Sequence, residues 1–437
     1  MEENVPAKVL IVTYYWPPFG TSGVQRWLKF VKYLPQFGYQ PFVFTPENPS
    51  LDTRDESLLA DVPPEAEVIK LPIWEPYGLF QSLQRWGGGK TVRSADFVAS
   101  GKRSWLGRVA AFVRGNLLIP DARIFWIKPS VTFLHDFLTS NAITHVITTG
   151  PPHSMHLIGL KLKQKNPSLR WLADFRDPWS EWDLLDTLSL TRWARKRHQR
   201  LEREVLQKAD EVITIAPYHQ KRLEALGGRP VRLITNGFDT DDFDSIVHQR
   251  TDRFTLRHIG VVDELRDPWP ILEACRQLAL ANEAFRKSVL VEFIGNVNSR
   301  FQERVMSDDV LRTLVAFVPH LPHREVLQRY GTTDVQLLVL AHTSIAPGNL
   351  PGKFFEYLAS GNFILGIGPE EGDAARMLKD VGRGVIIDRS GGERINHALL
   401  TLFESWQSGA ALPARAPEQF SRKALTSQLV HLMRTPA

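Results

Sequence analysis

The chain has 437 residues, of which 43% are hydrophobic and 23% charged, with a formal net charge of +5 and one cysteine, Cys275. That length exceeds one ordinary core and predicts two or three domains. A single thiol excludes an intrachain disulfide and fits a reducing compartment. The start, "MEENVPAKVL", lacks the basic and apolar regions of a secretion signal. Runs such as "VQLLVLA" are of strand length, well under the roughly 18 apolar residues of a bilayer span.

In chain order, apolar runs bounded by Gly, Pro or polar residues begin at 9 ("VLIVTY"), 41 ("PFVFTP"), 145 ("HVITTG"), 171 ("WLADF"), 211 ("EVITIA") and 231 ("VRLITNG"). Runs without alternation predict parallel strands covered on both faces. Helical patterns at 23–37, 154–165 and 194–209 lie between them. The pattern restarts with "FTLRHIGV" at 254, "VLVEFIG" at 289, "VAFVPHL" at 315, "VQLLVLA" at 335, "NFILGIG" at 362 and "GVIIDR" at 384, with helices expected at 268–283, 300–313, 323–331, 352–360 and 371–381. This is the doubly wound α/β pattern, twice over. The acidic stretch 238–253 marks the boundary. Expected domains are 1–237, 238–415, and a helix in 416–437 that packs on the first domain. Residues 74–128 read as an irregular insertion.

Positive charge is uneven. Residues 84–128 carry a series of Arg and Lys against only Asp96 and Asp121, and "RWARKRHQR" forms a second cluster at 192–200. A solvated basic face, an anionic membrane surface and an anionic substrate all suit such clusters. No nucleic-acid motif accompanies them, so nucleic acid is not expected as a partner.

Open α/β sheets bind ligands beyond the carboxyl ends of their strands. Four stretches fall there. "YYWPPFGTSGVQR" at 14–26 offers Gly20 and Gly23, which allow close backbone approach at a helix start, where N–H groups and the dipole favour an anion. It is neither GxGxxG nor a Walker loop. "TTGPPHSMH" offers His153 and His156. "ADFRDPWSEW" offers Asp174, Arg176 and Asp177, with Asp174 able to cap a turn and pair with Arg176. "GNLPGKFFEYLASG" places Lys353 and Glu356 three apart on one helix face.

On these motifs, together with "ITNGFD" at 234–239, the chain resembles the GT-B glycosyltransferases. Within them it is similar to the retaining family-four enzymes, in the bacterial branch carrying "TGPPHSxH" and "ADFRDPW". The resemblance implies two Rossmann-like domains facing each other across a cleft, with a nucleotide-sugar donor on the C-terminal one and an acceptor on the N-terminal one. It implies that Glu356 holds the ribose hydroxyls, that Arg266 and Lys353 hold the diphosphate with Gly20 and Gly23 facing it, and that His153, Asp174 and Asp177 form the catalytic, acceptor-side group. No metal or other cofactor is implied. Three positions depart from the family pattern. Gly348 stands where the first Glu of E-x7-E would fall and Val261 where an Arg would, with backbone at 347–350 expected to stand in for the missing Glu. The two N-terminal glycines are separated. The expected function is transfer of a sugar to an acceptor hydroxyl with retention, on a saccharide or lipid-linked saccharide of the cell envelope. The expected location is cytoplasmic, peripheral to an anionic membrane. A nucleotide-sugar 2-epimerase and a non-catalytic nucleotide-sugar or anion-binding protein are the alternatives.

Overall fold

A computed structural model describes residues 6–435 except 21, 52, 77–104, 183, 184, 186, 245 and 410–416. The chain divides into two compact units, Met1–Thr235 with Leu425–Ala437, and Asn236–Ala424. In the first unit the strands are β1 (Ala7–Val12), β2 (Tyr39–Pro46), β3 (Glu67–Leu71), β4 (His145–Gly150), β5 (Arg170–Phe175), β6 (Glu211–Thr214) and β7 (Arg232–Leu233). They form one parallel sheet in the order β3-β2-β1-β4-β5-β6-β7. Successive residues of β1 enter opposite cores: Leu10 and Val12 join Trp126 and Trp171 on one face, Val9 and Ile11 join Trp27 and Leu425 on the other. Burial on both faces is why this strand reads as an unbroken apolar run.

The second unit holds β8 (Phe254–Ile259), β9 (Val289–Ile294), β10 (Val315–Val318), β11 (Val335–Val339), β12 (Phe363–Ile367) and β13 (Gly384–Ile387). Their order is β10-β9-β8-β11-β12-β13, again all parallel. Strand order reverses between β1 and β4 in the first sheet and between β8 and β11 in the second. At such switch points the loops leave in opposite directions and open a crevice.

Several expectations need correction. The first helix is Ser22–Tyr33, and the chain tightens to a 3₁₀ turn at Leu34–Phe37, where Pro35 supplies no amide hydrogen. Much of the insertion at 74–128 lies outside the described residues, but its later part is helical: Trp105–Asn116, then the start of Ile124–Ser140. The second of these buries Trp126, Ile127, Val131, Leu134 and Leu138 at helical spacing and was obscured by Pro129 inside it. The helix expected at 300–313 is two pieces, Ser299–Met306 and Leu311–Leu314, because Asp308 accepts the amides of Val310 and Leu311 and starts the second afresh. Edge strand β3 escaped the pattern because its residues are only partly buried. Arg422–Arg434 is a helix that buries Leu425, Leu429, Val430 and Met433 in the core of the first unit.

Candidate active site

In the first unit the residues around the β1/β4 switch point are held by two hubs. The Asp174 carboxylate lies one residue before the end of β5 and is fully buried. Arg26 Nε and Nη2 donate to Oδ2 and Oδ1 at 3.1 and 3.0 Å, Trp27 Nε1 donates to Oδ2 at 2.7 Å, and Thr149 Oγ1 donates to Oδ2 at 2.9 Å. The partner of Asp174 is thus Arg26, not Arg176. Arg26 goes on to donate to the carbonyls of Ile234 and Thr235, so one ion pair ties the first helix, β4, β5 and the end of the first unit's main segment together.

Arg176 is the second hub. Its guanidinium donates to the carbonyls of Gly150, Pro151 and Gly23 and lies over the Tyr15 ring. Gly23 has to be glycine for this: a Cβ there would sit 2.7 Å from the Tyr15 ring and 3.0 Å from Arg176 Nη1. Gly20 serves another end. Its amide donates to Thr53 O at 3.0 Å while Asp55 N–H donates to Pro18 O. The prolines and glycines of 14–26 therefore fold the loop back onto 53–55, with Tyr14 and Trp16 turned into the core. The Gly20 amide is engaged within the protein.

His153 lies just before the helix Ser154–Lys165 and is buried. Its ring stacks on Trp179 with centroids 5.0 Å apart and planes 3° from parallel. Neither ring nitrogen has a hydrogen-bond partner among the described residues. The helix N-terminus beside it is closed by Asp121, which accepts from Ser154 N at 2.8 Å. Asp177 follows Arg176, is only partly exposed, and has no side-chain hydrogen bond among the described residues. Burial raises its pKa against the pull of Arg176 and His219. The loop carrying it is fixed from below: Glu202 accepts the amides of Trp179 and Ser180, and Trp179 Nε1 donates to His198 Nδ1 at 2.9 Å.

In the second unit the groups gather at the β8/β11 switch point. The helix Gly352–Ser360 begins without a side-chain cap; the Phe354 amide donates to Pro351 O, and the dipole and the amides ahead of it favour an anion. Lys353 in its first turn donates to Ile259 O at 3.2 Å and faces His258 Nε2 at 3.4 Å. His258 Nδ1 donates to Leu337 O at 2.9 Å, which leaves Nε2 as the lone-pair side toward the ammonium. Desolvation first, then Arg266, bring the Lys353 pKa down to about 7, with Glu356 and Asp263 opposing. Glu356, one turn on, accepts from Tyr330 Oη at 2.9 Å. Arg266 is paired with Asp263 at 2.6 Å. Gly260, at φ +134°, leaves room for the lysine, since a Cβ there would be 3.0 Å from Nζ; Gly295, at φ +126°, lets Gly260 O approach. At the departing position, the amides of Gly348 and Asn349 are used inside their own turn, donating to Ile345 O and Ala346 O.

So within the first unit the structure groups His153, Gly23, Arg176 and Asp177, with Asp174 tied off behind them. Within the second it groups Lys353, Glu356 and Arg266. Sequence reasoning missed Arg26, Trp179, His258 and Tyr330. The strand-end glycines in "HIGV" and "FIGN" were a further visible signal for the crevice that "GNLPGKFFEYLASG" had already marked.

The buried imidazoles set an acid limit. Burial lowers the pKa of His156 and of His258 to about 3, and of His153 well below the usual value. The unfolded chain then binds protons below pH 6.5 that the folded chain does not, so stability falls as pH falls. His156 and His258 are each expected to withdraw about 2 kcal/mol between pH 7 and pH 5, and His153 acts in the same direction. Denaturant titrations at those two pH values measure this; equal stabilities would refute it.

No protein-family model matches the sequence, and no curated protein matches it significantly. Among solved structures the chain is similar to sucrose-phosphate synthase from Thermosynechococcus elongatus, at 13% identity over 98% of each chain with a TM-score of 0.62. It is similar to a glycosyltransferase from Rickettsia africae at 11% identity, covering 98% of this chain and 97% of that one, TM-score 0.63. It is also similar to Anabaena HepE solved with UDP and glucose, at 13% identity over 98% of this chain and 99% of that one, TM-score 0.57. At these identities the likeness defines the fold, and the fold is the GT-B one: two Rossmann-like domains with parallel sheets of seven and six strands.

Proposed function

We propose that the protein is a glycosyltransferase that moves a sugar from a nucleotide-sugar to an acceptor hydroxyl with retention. The observation that carries this is the crevice of Lys353, Glu356 and the uncapped helix start beside Gly260. It offers a cation and free amides for a diphosphate and, one helical turn away, a carboxylate oriented by Tyr330 that can accept from two vicinal ribose hydroxyls. Arg266, with its charge partly met by Asp263, adds to the diphosphate side. In the reaction the bond from the anomeric carbon to the β-phosphate oxygen breaks, the acceptor oxygen bonds to that carbon on the same face, and the acceptor proton passes to the leaving phosphate. Lys353 stabilises the charge that develops there. The HepE structure with UDP and glucose lends support at the level of the fold.

His153 and Asp177 are assigned to the acceptor: a neutral ring with both nitrogens unpartnered, and a partly exposed carboxyl with a raised pKa, suit binding to sugar hydroxyls. The acceptor is read as a saccharide or lipid-linked saccharide of the cell envelope, reached from the cytoplasmic side of an anionic membrane. No metal takes part in this scheme, so transfer should survive EDTA.

The same fold also occurs in a Listeria monocytogenes chain assigned as a UDP-N-acetylglucosamine 2-epimerase, at TM-score 0.53, so the test must separate the activities. Melting-temperature screens against nucleotide-sugars identify the donor, because a ligand of the native state raises the midpoint. Glu356→Ala should abolish that shift and weaken donor binding about 100-fold, the worth of two charge-assisted hydrogen bonds. Mass analysis of the product then shows transfer or an isomerised donor. Stabilisation by no nucleotide-sugar would overturn the reading.

A further inference from the structure

The helix Arg192–Lys208 carries two different faces. Ala194, His198, Glu202 and Val205 are buried, and His198 and Glu202 are the groups that hold the loop of Trp179 and Ser180 next to Asp177. Trp193, Lys196, Arg197 and Arg200 fall at i, i+3, i+4 and i+7 on the other side and are all exposed. Trp193 is 60% exposed, and the Arg197 guanidinium lies 5.6 Å from its ring centre. The buried Glu202 is directed inward and does not neutralise this face.

A second observation lies at the helix N-terminus. Asn116, at the end of the helix Trp105–Asn116, accepts from Thr191 N at 2.8 Å and donates to Ser189 O. That contact brings Val109, Phe112 and Leu117, all exposed and Leu117 at 67%, to the same end of the unit as Trp193. Large exposed apolar side chains, beside a stripe of long cationic ones, match the two layers of a bilayer surface: apolar groups enter the acyl boundary while lysine and arginine meet lipid phosphates. Nucleic acid would use the charge but leave Val109 and Leu117 without a purpose.

We infer that the outer face of this helix, with the apolar edge at 109–117, docks the protein on an anionic lipid bilayer. The inference gives the membrane reading above a location and rests on it for its purpose. The docked helix also holds the Asp177 loop from its other face, so a headgroup-linked acceptor would be presented beside the acceptor-side residues.

The test needs neither donor nor acceptor. Wild type is co-sedimented with phosphatidylcholine vesicles containing or lacking phosphatidylglycerol. Expected is binding to the anionic vesicles only, weakened by salt, and reduced roughly a hundredfold in Lys196→Glu/Arg197→Glu/Arg200→Glu. The same charge change at Lys287, Arg300 and Arg312, exposed positions of the second unit, should leave binding unchanged. All six side chains are on the surface, so each variant is first required to melt as wild type does. Brominated lipid should quench wild-type fluorescence more than that of Trp193→Phe. Equal binding to neutral vesicles, equal loss in both triple variants, or displacement of vesicles by single-stranded nucleic acid at matched charge would each overturn the inference. Failure of donor binding would leave this result standing, so the two readings fail separately.

Discussion

Lys353→Met should give a protein that is more stable than wild type and unable to hold its donor. The ammonium is kept in a crevice that desolvates it and sets it near Arg266, so its pKa falls from 10.5 to about 7. At about 1.4 kcal/mol per pKa unit, keeping the charge there costs the folded state a few kcal/mol. The direction with pH follows from proton counting. Between pH 7 and 10.5 the unfolded lysine holds a proton that the folded one has released, so this lysine's contribution to stability rises with pH through that window and is constant, at its most unfavourable, below it. Methionine fills a similar volume without the charge. Its advantage should therefore be largest below pH 7 and shrink toward pH 10, as denaturant titrations would show. A variant less stable than wild type at pH 6 would refute the argument.

The same lysine makes donor binding depend on pH in the opposite sense. A diphosphate favours the ammonium, so binding takes up a proton, and affinity should weaken by up to about tenfold per unit as pH rises above 7. An intact nucleotide-sugar is the right probe, because its diphosphate diester does not titrate in that range. Calorimetry in buffers of different ionisation heat would read the proton directly. In Lys353→Met the affinity should be at least about 100-fold lower and independent of pH. A site that carries strain for a function is expected to gain stability when the functional group is removed.

What could be read in the sequence, and what could not, divides along a physical line. β1, β4 and β11 were visible because burial on both faces leaves unbroken apolar runs. β3 was not, because it is an edge strand and half exposed. Lys353 and Glu356 were visible because a helix puts residues three apart on one face. Tyr330 was not, because it reaches Glu356 through the order of strands β8, β11 and β12 and a stack on Phe243, none of which is local. The acids of "ADFRDPW" were visible as a cluster, but their roles were not. Those depend on partners that only the fold brings close, such as Arg26, 148 positions away from Asp174.

That last pair gives the second large effect. Arg26→Met should destabilise the first unit by about 3–5 kcal/mol, the usual consequence of leaving one member of a buried ion pair behind. The side-chain volume is nearly kept, so the loss is electrostatic rather than a cavity. Asp174 would retain Trp27 and Thr149 as donors but lose both bonds from the guanidinium, and the carbonyls of Ile234 and Thr235 would lose theirs. In a unit of this size the melting midpoint should drop by roughly 6–20 °C. Asp174→Asn separates a structural carboxylate from a catalytic one. All of its oxygen contacts are internal, so the geometry predicts a lowered midpoint, with transfer per folded molecule reduced less than about tenfold. An unchanged midpoint with transfer lost would mean that Asp174 leaves Arg26 during the reaction and acts on the acceptor itself.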